Sequence, residues 1–557
     1  MIKLSKKLRI VCYSLLAVLV LVLAALVYAN VVIDDLLQAE IAKLSQQYKA
    51  GRMQVGRVDV NLWTSSAALD DVFFAVDSIG KANAPAYTLS VKKAEIKYVR
   101  LLRMLLRKQL YVNTIEISDA DVSLLLNDAP KNQQQEVGVG WQASQDLLRF
   151  IALLDVENVL LNNASIQVKS SSTPFQMQVD SAYVYAHNLR CNFADSTITY
   201  NDSLYRFSFR NLSFVEPAGE YKVSIGALDT ENAQALLAKN VAVKCIVPKE
   251  KLAEKRGRVA ATWMDAQIDS IKLSSLNVIR AIFQQSCSVD RVEVGARKLD
   301  MYRDSRYPMK KVSRPLQLSL MQLKKEIFIG RLVMSVNTFN YQFQGKQGGV
   351  GKLSLQRLML TANRVSNKPS NMINCNIKGL MGNQAPLNMQ LRLDLNNLCT
   401  WNCEAQLKNL KMDTFNEFVG PMMGVGLKGN IRSVEAKYAG DSLEAKGIFT
   451  MCYDSVKIKV LPTSPVPWLA KHARAVTDIA NVLIPKSNPL HAKKDPKSYY
   501  LHTQRPMNKP YMFHLISPMI QGVKETLLGE FYLSKEVKSW RKKSNSWYEE
   551  YVEKRDQ

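Results

Sequence analysis

Apolar and polar residues alternate with period two over much of the chain. The alternation is unbroken in the run MQLRLDLN at 389–396, and aromatic residues occupy alternate positions at 205–209 and 339–343. Turn-forming residues separate these stretches, for example at 345–351 and 440–441. Alternation of this kind is typical of antiparallel strands with one dry face and one solvated face. The sequence therefore predicts a mainly β body.

One spacing of apolar residues occurs twice and recurs in a weaker form. The run V-x-x-I-x-I-x-D-A-x-V-x-L at 112–124 matches V-x-x-V-x-L-x-N-A-x-I-x-V at 156–168, and a degenerate copy spans 289–301. The pairs Asp119–Ala120 and Asn163–Ala164 fall where the alternation shifts phase, which predicts a bulge or a tight turn there. Repetition of this kind predicts an elongated sheet built from like units.

Helical spacing of apolar residues is confined to a few segments. It predicts a juxtamembrane helix at 34–50, a short helix at 142–154, a helix at 468–483 and a C-terminal helix at 531–554. The chain is thus predicted to be a sheet with short capping helices and a C-terminal helical segment.

The N-terminal region predicts a membrane anchor. Residues 10–33 contain no charged side chain, and about 20 apolar residues suffice to cross a bilayer. Basic residues precede this segment and acidic residues follow it. This predicts that residues 1–9 are cytoplasmic and that the residues after 33 lie on the opposite side of the membrane. The alternative is a cleaved signal peptide, because Val27-Tyr28-Ala29 resembles a cleavage site.

The formal net charge is +25, from 74 Lys and Arg against 49 Asp and Glu. Such a charge suits nucleic acid, anionic lipid or a plainly solvated basic surface. A body outside the cytosol makes anionic lipid the available partner, and no nucleic-acid partner is expected.

Two groups of residues are candidates for membrane contact. The first, interleaved with leucines, predicts a short amphipathic helix touching anionic headgroups, with a solvated capping helix as the alternative. The second suits either a membrane interface or packing on the protein's own sheet. The first group is Lys92, Lys93, Lys97, Arg100, Arg103 and Arg107, and the second is Trp540, Trp547 and Tyr548.

Several segments resemble the AsmA-like family of bacterial envelope proteins, whose long members include TamB and YhdP, and in particular its short Bacteroidota-type members. They are VGRVDVNL at 55–62, ALDDVFF at 68–74, GVGLKGNI at 424–431, YAGDSLEAKG at 438–447, MCYDSVKI at 451–458, and the stretches 481–489 and 520–529. The resemblance implies a twisted antiparallel β-groove over 51–461, with an apolar interior for acyl chains, and a helical or irregular region over 462–557. It implies no catalytic residues.

Residue patterns for chemistry are sparse. The five His are not near Cys399-x-x-x-Cys403, so the ligands for a zinc site are lacking, and no metal or other cofactor is expected. The glycine-rich run 345–352 has the wrong spacing for a phosphate-binding loop and predicts a hairpin turn. Cys399 and Cys403 either pair with Cys375 or Cys452 or remain buried thiols. We expect that the protein is not an enzyme.

Together with the resemblance, these features predict a single-pass protein of a bacterial inner membrane with a periplasmic body. The expected function is binding of lipid acyl chains for phospholipid transfer or envelope homeostasis. The alternative is an anchored scaffold or assembly factor for outer-membrane proteins, which would pair a client strand with the sheet edge. A separate alternative concerns the apolar face of the strands, which would line either an open groove or a closed sandwich core.

Overall fold

The computed structural model describes most of the strand-rich body. The described residues are 35, 38–39, 51–76, 86–100, 109–126, 153–192, 197–199, 205–232, 234–276, 286–309, 312–346, 349–369, 371–382, 384–396, 398–465, 467–491 and 493–528. The predicted anchor at 10–33, nearly all of the predicted helix at 34–50 and the predicted C-terminal helix at 531–554 lie outside them. So does the predicted helix at 142–154, except for its last two residues, which begin a strand.

The chain is mainly β, as its alternation predicts, and it divides into two compact units, 1–219 with 224–233 and 220–223 with 234–557. Of the strands in the described residues, ten fall mainly in the first unit. They are β1 Gly51–Gln54, β2 Arg57–Asn61, β3 Ser66–Val76, β4 Ala86–Val99, β5 Gln109–Leu126, β6 Leu153–Ser170, β7 Gln176–Asn192, β8 Thr197–Thr199, β9 Tyr205–Val215 and β10 Tyr221–Asn232.

The described part of the second unit contains eleven further strands. They are β11 Ala235–Cys245, β12 Thr262–Ser274, β13 Ser286–Asp304, β14 Glu326–Gln344, β15 Val350–Ser366, β16 Met372–Met381, β17 Ala385–Asp394, β18 Trp401–Lys411, β19 Val425–Gly440, β20 Glu444–Val460 and β21 Ser498–Gln504. The last of these lies inside the region for which the sequence predicts helical or irregular structure.

The described helices all belong to the second unit, apart from three helical residues near position 38. The predicted helix at 468–483 is present, but it is divided at His472 into two pieces, α4 and α5. The helices are α1 Leu252–Lys255, α2 Leu316–Met321, a 3-10 turn at Met412–Phe415, α3 Asn416–Met423, α4 Pro467–Lys471, α5 Ala473–Leu483 and α6 Tyr511–Leu528.

Strand pairing follows chain order within each unit. In the first unit β1 and β2 both pair with β3, pairing then continues through β7, β7 pairs with β8 and β9, and β9 pairs with β10. In the second unit each strand from β11 to β21 pairs with the next. The hairpin predicted at 345–351 joins β14 to β15, and the Gly345 N–H donates to the Gly349 carbonyl at 2.7 Å.

Two pairings differ from the antiparallel sheet that the sequence predicts. β5 runs parallel to β6, and β13 runs parallel to β14. The repeated spacing explains the first pairing, because Val112 pairs with Val156 and Ile117 with Leu161. Two segments with the same order of large, small and polar residues match when they run side by side in the same direction. Alternation alone does not distinguish the two directions, because both place every second side chain on one face.

The densest core lies in the second unit, where α6 packs on β20 and β21. Trp401, Phe449, Met451 and Tyr453 are each at most 1% exposed. The Tyr438 hydroxyl donates to the Leu515 carbonyl of α6 at 3.1 Å. Part of the apolar sheet face is therefore a closed core.

Candidate functional site: an apolar face kept in phase by bulges

Left-handed residues interrupt the long strands at the positions where the alternation breaks. Asp119 in β5 has φ +52° and Asn163 in β6 has φ +53°. The next residues, Ala120 and Ala164, are 3% and 1% exposed. The pairing of β6 with β7 shifts register at Asn163–Ala164, so the predicted bulge is confirmed there, and Asp119 has the same backbone conformation at the matching position of β5. A bulge residue takes up one position of the strand, so the apolar residues before and after it stay on the same face.

The bulges of the first unit lie next to one another across neighbouring strands. The Asn163 Nδ2 donates to an Asp119 carboxylate oxygen at 2.7 Å, and the Ser181 hydroxyl donates to the Asn163 Oδ1 at 3.0 Å. Asn211 in β9, also with positive φ, donates to Asp180 at 3.1 Å. Beneath this polar row lies a cluster of small apolar residues, Val91, Ala120, Ala164, Val179 and Ala182. The left-handed positions of β5 and β6 are thus linked side by side, and that of β9 is linked to the next strand in the same way.

In the second unit, the alternation of strand β14 is also interrupted in a way that keeps its apolar residues on one face. It has 19 residues, and two interruptions, at Gly330 and Asn337, divide it into three alternating segments. A Cβ on Gly330 would lie 2.7 Å from the Asp290 carbonyl oxygen, so only glycine fits there. The facing residues in β15, Arg364 and Arg357, have φ of +55° and +49°. One face of β14 is consequently apolar along its length: Ile327, Ile329, Leu332, Met334, Val336, Phe339, Tyr341 and Phe343.

This apolar face is covered at one side of the second unit and open at the other. Under α6 the face is fully buried, as at Phe449, whose ring lies against Gly522. On β14, Met334, Phe339 and Tyr341 are only half-buried. Cys375 of β16 is half-buried too, and burial raises the pKa of its thiol to about 11. The apolar face is thus a closed core under α6, and on β14 it is covered less completely.

Of the six predicted headgroup-binding residues, four lie in or directly after one strand and two lie outside the described residues. Lys92, Lys93 and Lys97 lie on strand β4 and not on a helix, and Arg100 follows that strand. Arg103 and Arg107, like the predicted membrane-interface residues Trp540, Trp547 and Tyr548, lie outside the described residues.

Two of the three lysines on β4, Lys93 and Lys97, are engaged with carboxylates. Lys93 pairs with Glu95 at 2.8 Å, and Lys97 pairs with Glu95 at 3.1 Å and with Glu116 at 2.9 Å. Because of its hydrogen bonds to these two lysines, first of all to Lys93, the pKa of Glu95 is lowered. The sequence shows Glu95 as the acid within this segment, whereas Glu116 becomes a partner only through the pairing of β4 with β5.

The guanidinium of Arg100 lies over the ring of Tyr111, 4.1 Å from its centroid. This contact also joins residues that are close only because β4 and β5 are neighbours.

A cavity that sequence reasoning did not identify lies between α5 and the strands β19 and β20. Its volume is about 580 Å³, and its walls combine apolar residues with the cations Lys428, Lys457, Lys459 and Arg474. On its inner side, Thr477 and Asn481 of α5 bond to the backbone of β20. The hydrophobic spacing of α5 predicted a helix but gave no sign of where its polar side chains would bind.

Among the described residues, no group of three or more His, Cys, Asp or Glu is arranged to hold a metal ion. The described cysteines, Cys245, Cys287, Cys375, Cys399, Cys403 and Cys452, are free thiols, so Cys399 and Cys403 are not paired with Cys375 or Cys452. No helix within the described part of the chain is long and apolar enough to cross a bilayer.

No protein-family model and no curated protein matches the chain.

Proposed function

We propose that the protein binds lipid acyl chains on the half-buried part of its apolar sheet face, as a periplasmic protein anchored in a bacterial inner membrane and related to the AsmA-like family. Its role is phospholipid transfer or envelope homeostasis, and it is a binding role without catalysis. The observation that carries the proposal is the unbroken apolar face of β14 and its neighbours, which is only half-buried along much of its length.

The free energy of burying a lipid tail supports this occupant. At about 0.8 kcal/mol per CH₂, a sixteen-carbon chain costs about 13 kcal/mol to expose to water. A face of half-buried apolar residues also costs free energy when it is solvated, so contact with a tail lowers both costs. Strand β14 has 19 residues and is about 60 Å long. One leaflet of a bilayer core is about 15 Å deep, so the strand is several times as long as the space that one acyl chain spans.

A pair of adjacent substitutions tests the proposal. Met334 lies on the apolar face, and Ser335, the next residue, is exposed on the opposite face. We expect lipid extracted from the detergent-purified full chain to be stoichiometric in the wild type and in Ser335→Arg, and several-fold lower in Met334→Arg. Quantitative mass spectrometry of the bound lipid measures this.

A wild-type preparation free of lipid would overturn the proposal, as would equal lipid content in the two variants. If the lipid-free chain instead retained an outer-membrane barrel protein, the scaffold role predicted as the alternative would replace lipid binding.

A further inference from the structure

One cation interrupts the apolar face of the second unit. Arg303 lies near the end of β13 and follows Leu299 and Met301 at alternate positions, so its side chain is on the same face as theirs. Across the parallel pairing, Met301 is opposite Tyr341 and Arg303 is opposite Phe343. A guanidinium therefore lies among the aromatic residues of β14 that the apolar face presents.

The hydrogen bonding of Arg303 is incomplete. Its Nη1 donates to the Thr262 hydroxyl of β12 at 3.2 Å, and no carboxylate of the described residues lies within ion-pair distance of it. A guanidinium carries five N–H donors and remains charged at neutral pH. Burial lowers the pKa of Arg303 and raises the pKa of the neighbouring Tyr341, which indicates that both groups lie in apolar surroundings.

Other arginines in the same stretch of chain have carboxylate partners. Arg297 of β13 pairs with Asp269 at 2.7 Å, Arg306 pairs with Asp304 at 2.6 Å, and Arg291 pairs with Glu293. Arg297 is 68% exposed, so its charge is also solvated. Arg303 combines half-burial with the absence of an acidic partner among the described residues, an arrangement that costs free energy unless an anion occupies the site.

Helix α3 covers the neighbouring end of the same face. Gly351 of β15 pairs with Phe343, and a Cβ on Gly351 would lie 2.8 Å from the Met422 Cγ of α3. Phe418 of α3 contacts the same position. Beyond α3, the apolar face of β14 runs from the region of Arg303 towards Ile327 at the opposite end of the strand, and it is half-buried except at Val336, which is 2% exposed.

We propose that Arg303, together with the Tyr341 hydroxyl, binds the phosphodiester of an acidic phospholipid whose acyl chains lie along the apolar face towards Ile327. This rests on the proposed function and adds to it the class of lipid. A guanidinium offers two parallel donors to the two non-bridging oxygens of a phosphodiester. A zwitterionic lipid would also bring an ammonium group, for which the described residues supply no carboxylate beside Arg303.

The test compares lipid selection by matched variants of the full chain. Each purified protein is incubated with mixed micelles containing equal amounts of phosphatidylglycerol and phosphatidylethanolamine of the same acyl composition, and the bound lipid is quantified by mass spectrometry. We expect the wild type and Arg297→Gln to enrich phosphatidylglycerol about tenfold. Arg303→Met should lose this enrichment while retaining lipid, and Tyr341→Phe should reduce it by a few fold.

The outcomes separate this inference from the proposed function. If the wild type holds no lipid of either kind, the groove itself is wrong and Arg303 has no ligand to select. If lipid is bound but Arg303→Met selects as the wild type does, the headgroup site is wrong and the groove stands. If the protein retained a free fatty acid in preference to phosphatidylglycerol in a competition, the phosphodiester site at Arg303 would also be wrong. Because Tyr341→Phe preserves the ring, it tests the site even if Arg303→Met misfolds.

Discussion

Single residues determine which face of each strand is apolar. Asp119 and Asn163 adopt left-handed backbone conformations in the middle of long strands, which Asp and Asn tolerate better than most residues. Their place could be predicted from the sequence, because a polar residue followed by Ala interrupts a regular alternation. The left-handed positions at Arg357, Arg364 and Tyr98 could not be predicted, since residues of these types do not mark a bulge.

Replacing Asn163 by Val should destabilise β6 by about 2 kcal/mol. A left-handed conformation costs an ordinary residue about 1–2 kcal/mol, and the hydrogen bonds to Asp119 at 2.7 Å and from Ser181 at 3.0 Å are also lost. Asn163→Gly, which loses only these two exposed hydrogen bonds, should cost about 1 kcal/mol. Hydrogen exchange of the β6 amides measures the local free energy of opening. The exposed Lys169→Val on the same strand is the control, and an equal effect there would contradict this account.

His514 should make the docking of α6 pH-dependent. The side chain is fully buried against Trp401, its Nε2 lies 3.1 Å from the Asp441 carbonyl, and its Nδ1 has no partner. Burial lowers its pKa, so below about pH 6.5 the unfolded chain binds a proton that the folded chain excludes. Stability is therefore complete above that pH and is lost as the pH falls, by at most about 1.4 kcal/mol per pH unit.

Thermal unfolding between pH 7.5 and pH 5.5 measures this effect. His514→Phe should flatten the dependence, whereas the variant of the exposed His472, His472→Gln, should leave it unchanged. A slope that survives in His514→Phe would assign the pH dependence to another group.

At the scale of elements, α5 takes the place of a missing strand. Beyond the end of its pairing with β21, β20 has backbone groups that face no other strand, and side chains of α5 bind them. The Ile458 N–H donates to the Asn481 Oδ1 at 3.0 Å, the Asn481 Nδ2 donates to the Ile458 carbonyl at 2.7 Å, and the Val460 N–H donates to Thr477 at 2.9 Å. Exposed strand edges recruit other chains, so this helix protects the sheet.

Asn481→Ala should release this edge. Two backbone groups of Ile458 lose their partner, and each unsatisfied group costs about 1–3 kcal/mol. We expect amide exchange at Ile458 to accelerate at least tenfold. Asp478→Ala, on the exposed side of the same helix, should leave that exchange unchanged. Equal protection in the two variants would mean that α5 is held by its apolar contacts alone.

The elements themselves were predicted unevenly. The helix at 468–483 has clear apolar spacing and is present, divided at His472. Helix α6 was not predicted, because Pro518 and Gly522 lie inside it and weaken the helical pattern. Gly522 is nevertheless required, since any Cβ there would overlap the ring of Phe449. Tertiary packing thus overrides local propensity in α6.

At the scale of the molecule, alternation was sufficient to predict a mainly β chain but not which parts of its apolar face are covered. The strand sequences under α6 and those of β14 are both apolar on this face, so the placement of the covering helices distinguishes the buried part from the half-buried part. No pattern in the sequence marks Arg303 as a binding residue either. It lies in a strand that contains other arginines, and its face becomes evident only after the interruptions of the alternation in β13 and β14 are located.

The parallel pairing of β5 with β6 indicates how the sheet could be lengthened by adding strands. Val112 lies beside Val156 and Val122 beside Ile166, so one segment and its copy 44 residues later already match in side-chain size and bulge position. If such a segment were duplicated, the interruptions in the new strand would align with those in the neighbouring strand. Extension by whole segments is therefore compatible with the fold, whereas a single inserted residue would displace one strand's bulges from those of its neighbours. A designer lengthening this scaffold should copy the strand with its connection as one cassette.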